Sequence, residues 1–265
     1  MLPPTWARRV KRMREGRSTE VVGTGTGARS NRRAALSAGV LLITATVANV
    51  IGTGLSRSLL DAPDYLASVA GHANRVAAGA LLELVAAGAS AGIAISLYPV
   101  LKAWGAKLAL GSVVFRTVEA VMYMLAAASL LSLLALSQRF TTAAILGPAS
   151  FRAVGDALLD AREEVALVGV FAFCVGSLLY SYLFYVSRLV PRWLSGWGIG
   201  AIILLILACL LALFTQNELT TYTILALPLG VQEMVLAVWL IARGFSTPAP
   251  PSISAAEPEP VSVGG

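Results

Sequence analysis

Six stretches of this chain are too long and too apolar to remain in water, and they decide its architecture before any other feature. They lie near 34–55, 76–101, 109–137, 164–187, 197–215 and 222–243. A helix crosses the roughly 30 Å hydrocarbon core in about 20 apolar residues. Uniform apolar runs of that length, without strand-like alternation, exclude a β-barrel. The composition agrees: 57% of residues are hydrophobic and 13% charged, where a soluble domain carries roughly 25% charged residues. That excludes a soluble globular fold, a disordered chain, a disulfide-rich secreted module and a nucleic-acid-binding domain. The expected fold is all-α, a polytopic membrane bundle of six transmembrane helices. The third stretch is overlong and is expected to tilt or to run into an interfacial turn. A five-span arrangement with 197–215 re-entrant, starting at its SGWGIG, is the competing architecture.

Orientation follows from the bias of Lys and Arg between short loops. One side carries Arg14, Arg17, Arg29, Arg32, Arg33, Lys102, Lys107, Arg188, Arg192 and Arg243. The other carries Arg57, Arg75, Arg139, Arg152 and Arg162. Both termini are therefore expected in the cytoplasm. Residues 1–33 hold nine Lys/Arg against two Glu, so the net charge of +6 comes from this tail and the rest of the chain is close to neutral. They are expected to be a disordered basic tail that sets topology and touches anionic lipid. Within it GTGTGA (23–28) superficially matches a dinucleotide fingerprint, but no strand precedes it and RSNRR follows, which marks a linker. The tail at 246–265, with five prolines, is too Pro-rich to fold. Between them, 34–245 forms the transmembrane domain. The outer segments 59–71 and 149–163 mix apolar and acidic residues at helical spacing, which predicts short helices in the outer interface. Tyr182, Tyr185, Trp193 and Trp197 flank Arg188 and Arg192 as an aromatic belt at the cytoplasmic edge.

The segments LDAPDYL, GALLEL, AISLYPVLK, FRTVEAVMYML, SRLVPRWLSGWG and LPLGVQEMVLAVWLIARGF occur in order between about 34 and 245. In that order and spacing the chain resembles the DUF4386 family, small bacterial integral membrane proteins named for a domain of unknown function. The resemblance implies a six-span bundle in the bacterial cytoplasmic membrane and implies no activity.

Four ionisable residues fall inside the spans: Glu83, Arg116, Glu119 and Glu233. Each costs at least roughly 2.5–3.5 kcal/mol at a helix centre unless it finds a partner or water. Counting about 1.5 Å per residue from the loop charges places Glu83 and Glu119 at one level and Arg116 and Glu233 at a neighbouring one. Ser112, Arg116, Glu119 and Tyr123 form one stripe of the third span. Thr46, Asn49, Thr53 and Ser56 do so in the first, and Cys174, Ser177, Ser181 and Tyr185 in the fourth. The fifth span is almost without polar residues and is expected at the lipid-facing periphery. Pro228, five residues before Glu233, frees a backbone carbonyl near the site.

Two readings of the cluster stay open. Arg116 pairs with one or two of the carboxylates and the network only fixes helix register. Alternatively, three carboxylates against one guanidinium leave charge uncompensated, which suits a bound cation, proton-coupled transport or a small solute. Glu83, Arg116, Glu119, Glu233, Asn49 and Tyr123 are the candidate binding residues.

A weaker third reading is a lipid-acting enzyme using carboxylates as acid and base. Catalytic signatures, however, are lacking. His72, the single histidine, falls at the outer edge, and no span contains an Asp. Cys174 and Cys209 lie in separate spans without companion ligands, so no zinc or haem cofactor is expected and the thiols read as apolar packers.

Overall fold

The computed structural model of the chain describes residues 5–142, 148–215 and 219–246. All the described secondary structure is helical. The elements are α1 (Thr5–Leu60), α2 (Tyr65–Gly71), α3 (Ala73–Thr142), α4 (Pro148–Ser187), α5 (Arg192–Thr215) and α6 (Thr223–Ala242), with a 3-10 turn, Leu219–Tyr222, leading into the last. Five of these are long and apolar enough to cross a membrane.

α3 holds 70 residues, which as one straight rod would be about 105 Å long, more than three times the hydrocarbon core. It is instead a helical hairpin. Ser90 Oγ donates to Glu119 Oε1 at 2.7 Å, although those residues would stand roughly 43 Å apart along a straight helix. Arg162 makes the same point, bonding both Glu83 Oε1 (2.6 Å) and the Ala126 carbonyl (2.7 Å). Each of these residue pairs straddles Gly105 symmetrically. Gly105 is the one residue inside α3 with non-helical torsions (φ 175°, ψ 83°). Lys102 and Lys107 flank the reversal, so the fold-back occurs where the chain is polar. A Cβ on Gly105 would come within 2.9 Å of Leu183 Cδ2, so glycine also lets α4 approach the bend.

The helices close into a ring. α1 packs on α3, α3 on α4, α4 on α5, α5 on α6, and α6 returns to α1. Three glycines bring α1 close to its neighbours. A Cβ on Gly39 would meet Ile241 Cγ1 at 2.7 Å and the Ala237 carbonyl at 2.9 Å. Gly52 and Gly79 face each other, each 3.0 Å from the other's carbonyl oxygen by the same measure. Small residues at helix crossings are how membrane helices gain dispersion contacts without a hydrophobic drive. The end of the ring beside the α3 bend, called the inner end, is sealed by Leu42, Leu97, Leu101, Phe184, Val190 and Leu240. There α4 ends as Arg188 enters the left-handed region (φ 58°), and α6 ends before Gly244 (φ 72°). Ser246 N–H then bonds the Leu189 carbonyl at 2.9 Å, stitching the chain end to the α4–α5 turn.

Several expectations change. The basic tail is not irregular: α1 runs unbroken from Thr5. A helix already nucleated by a membrane span adds residues without a new nucleation cost. The segment 149–163 is no separate interfacial helix but the first part of the 40-residue α4. It contains no proline after Pro148, so nothing interrupts the ladder. By contrast the short α2 appears where an outer helix was expected. α5 is one continuous helix of 24 residues rather than a re-entrant loop. Its Leu194, Gly198, Ala201, Leu205, Ala208 and Ala212 face is buried against α4 and α6, and Ile203, Leu207, Leu210 and Phe214 face outward. The Pro-rich tail from residue 247 lies outside the described residues.

Candidate intramembrane charge site

The charged side chains separate into two groups at different depths. In the inner group, Arg116 and Glu119 sit one turn apart on the second arm of α3, both only 2% exposed. Their charges meet at 3.0 Å (Nη1 to Oε2). Ser90 on the first arm fixes the other Glu119 oxygen. The guanidinium stands 4.7 Å from the centre of the Phe173 ring, a cation–π contact strengthened by desolvation. Its Nη1 also points at Ser177 Oγ, 3.4 Å away on α4. Gly176 makes room: a Cβ there would lie 2.9 Å from Arg116 Cγ. Tyr123, half-buried, packs its ring over Gly169 of α4.

This group is incompletely satisfied. Ser112 Oγ, Arg116 Nε and Glu119 Oε2 are buried without a protein hydrogen-bond partner. For Glu119 the 3.0 Å ionic contact exists, but it lacks hydrogen-bond alignment. Glu233 of α6 feels Arg116 and Glu119 through space. Among the described residues it forms no hydrogen bond or ion pair, and it is partly exposed.

The outer group corrects the expected charge count, because a second guanidinium, Arg162, enters the bundle. Glu83 does not turn to Arg116. It binds Arg162 Nη2 at 2.6 Å, with the Glu83 side chain 8% and the Arg162 side chain 16% exposed. Arg162 reads as a loop residue if α4 is started at 164; the continuous helix from Pro148 carries it into the bundle. Glu83 is also not level with Glu119. Glu119 is opposite Ser90, seven residues and about 10 Å from Glu83 along the first arm. Asn49 is the other departure: its side chain is exposed and joins neither group.

At the outer surface Tyr65 of α2 donates to Asp156 Oδ1 at 2.6 Å, and Arg152 bridges to Asp64 at 2.7 Å. Burial first, then the Asp156 bond, push the Tyr65 phenol well above its ordinary pKa. Gly155 leaves the space that the Tyr65 hydroxyl occupies. His72 is exposed nearby, its Nδ1 2.9 Å from the Ser68 carbonyl. Cys174 and Cys209 are buried free thiols in the α4–α5–α6 core.

Residues 37–244 match the family model described as Domain of unknown function (DUF4386). The chain belongs to that family. No curated protein and no solved structure matches it. In this DUF4386 chain Ser90, Phe173, Ser177 and Arg162 hold the charged groups from neighbouring helices, although none of them stood among the candidate binding residues. Arg162 was the readable one, because helical spacing runs from Phe151 through 187 without a breaking proline. Ser177 was marked by the polar stripe of its span, whereas Ser90 carried no signal beyond its presence in an apolar one.

Proposed function

We propose that the chain is a non-enzymatic, six-span protein of the bacterial cytoplasmic membrane, with both termini inside, whose intramembrane site takes up a proton or small cation at Glu233. The hairpin at Gly105 supports six crossings, since each arm of α3 is long enough to span. Arg162 leaves the outer loops for the bundle, which sharpens the Lys/Arg bias behind the orientation. Arg29, Arg32 and Arg33 then face the inner leaflet, where they attract anionic lipid.

The observation that carries the functional reading is the charge inventory. Three carboxylates meet two guanidiniums, each guanidinium is committed to one carboxylate, and Glu233 is left over. A carboxylate in a low-dielectric region that has no committed counter-charge binds a proton or a cation. The neighbouring Arg116–Glu119 pair, short of hydrogen bonds, supplies polar groups that a hydrated ion or a small solute can use.

The test is proton uptake after a pH jump in proteoliposomes, comparing the unmodified chain with Glu233→Gln. Uptake that depends on Glu233 is the expected result, and uptake unchanged by Glu233→Gln removes the reading. The Glu83–Arg162 pair favours a second role for charge here, as a structural tie between α3 and α4. If both Glu233→Gln and Arg116→Gln with Glu233→Gln leave a folded protein unchanged in every activity, the inner group is structural too.

A further inference from the structure

The inward face of α1 changes character along its length. Gly39 faces α6, where Ala237 and Ile241 close on it, and Gly52 faces α3 at Gly79 and Leu82. Counting about 100° per residue, Asn49 falls between those two directions, roughly 80° from Gly39 and 60° from Gly52, so it points into the ring. Ala35, Ala38 and Leu42 share that arc and are sealed, at 0%, 0% and 2% exposure. Asn49, on the same arc further out, is exposed, and Thr46 and Thr53 beside it are half-exposed. On α6 the stripe that begins at Ile241 and Ala237 continues outward through Glu233 to Gly230. A Cβ on Gly230 would meet nothing within 4 Å. The two helices therefore touch at their inner ends and part toward the outer side.

We propose that this parting is an outward-opening polar passage between α1 and α6, lined by Thr46, Asn49, Thr53 and Gly230, through which a small hydrated cation, hydronium included, reaches Glu233. The inner seal at Gly39, reinforced by the Arg32 Nη1 bond to the Leu240 carbonyl (3.2 Å), keeps the passage shut to the cytoplasm. The direction of access rests on the function proposed above; the presence of water in the passage does not. The alternative occupant is lipid, which an exposed asparagine at this depth tolerates poorly.

The experiment is thiol labelling in intact cells with a membrane-impermeant trimethylammonium methanethiosulfonate. The background is Cys174→Ala with Cys209→Ala, and Asn49→Cys is compared with Ile51→Cys. Ile51 is also exposed but lies about 160° round the helix from Asn49, on the lipid side. A thiol reacts as its thiolate, which needs water, so Asn49→Cys is expected to react at least about 10-fold faster. Thr53→Cys carries the same comparison if Asn49→Cys does not accumulate. Equal rates at positions 49 and 51, fast or slow, overturn the passage. Fast labelling with proton uptake indifferent to Glu233→Gln keeps the passage and removes the Glu233 reading. Slow labelling with Glu233-dependent uptake removes the passage alone.

Discussion

Glu83 and Glu233 are both glutamates in apolar helices, yet their surroundings differ in every respect that matters to charge. Glu83 has a guanidinium at 2.6 Å, and that guanidinium spends a further N–H on the Ala126 carbonyl. The bond joins both arms of α3 to α4 and leaves little unsatisfied. Glu233 sits near an arginine already engaged by Glu119 and Phe173, with no hydrogen bond or ion pair of its own among the described residues. A carboxylate held in this way at Glu83 serves the fold. One left over, as at Glu233, ties no helix to another.

Substitutions can break this contrast. Arg162→Ala should have the largest effect on stability, roughly 3 kcal/mol, because it strands Glu83 in the bundle. Unfolding in detergent checks it, and adding Glu83→Leu should restore most of the loss. If Arg162→Ala is neutral, Glu83 is no tie. Ser90→Ala removes the hydrogen bond to Glu119 and should lower stability by about 1–2 kcal/mol in the same assay.

Tyr65→Phe probes the outer corner, where loss of the bond to Asp156 should cost about 1 kcal/mol. The folded phenol has a raised pKa, so its stabilisation is complete below the unfolded value of about 10 and fades as pH rises above that. An alkaline unfolding titration should therefore flatten in Tyr65→Phe. The smallest effect belongs to Glu233→Gln, expected to stay within about 0.5 kcal/mol of the parent. A large loss there would make Glu233 a structural residue like Glu83.

Much of this was legible in the chain. The apolar stretches mark every long helix, and the Ser112–Arg116–Glu119 stripe lies on one buried face as its spacing requires. What sequence could not supply is the partner of each charge. Depth counted from loop residues assumes that helices start where hydrophobicity starts. α4 begins earlier, so Arg162 was placed outside and Arg116 stood as the one guanidinium for three carboxylates. Asn49 was grouped with the charges and is exposed instead, because a helical stripe gives the face of a helix but not whether its neighbour stays in contact along its length. The orphaned Ser112 and Arg116 atoms depend on side-chain aim, which spacing does not encode.

The most direct test of the central claim is infrared difference spectroscopy on the purified chain, titrated from about pH 4 to 10 across the ordinary carboxyl range, with Glu83→Gln, Glu119→Gln and Glu233→Gln for assignment. The account predicts a protonated-carboxyl band that titrates, disappears in Glu233→Gln and persists in the other two. A band that instead disappears in Glu83→Gln or Glu119→Gln, or none that depends on Glu233, would contradict it.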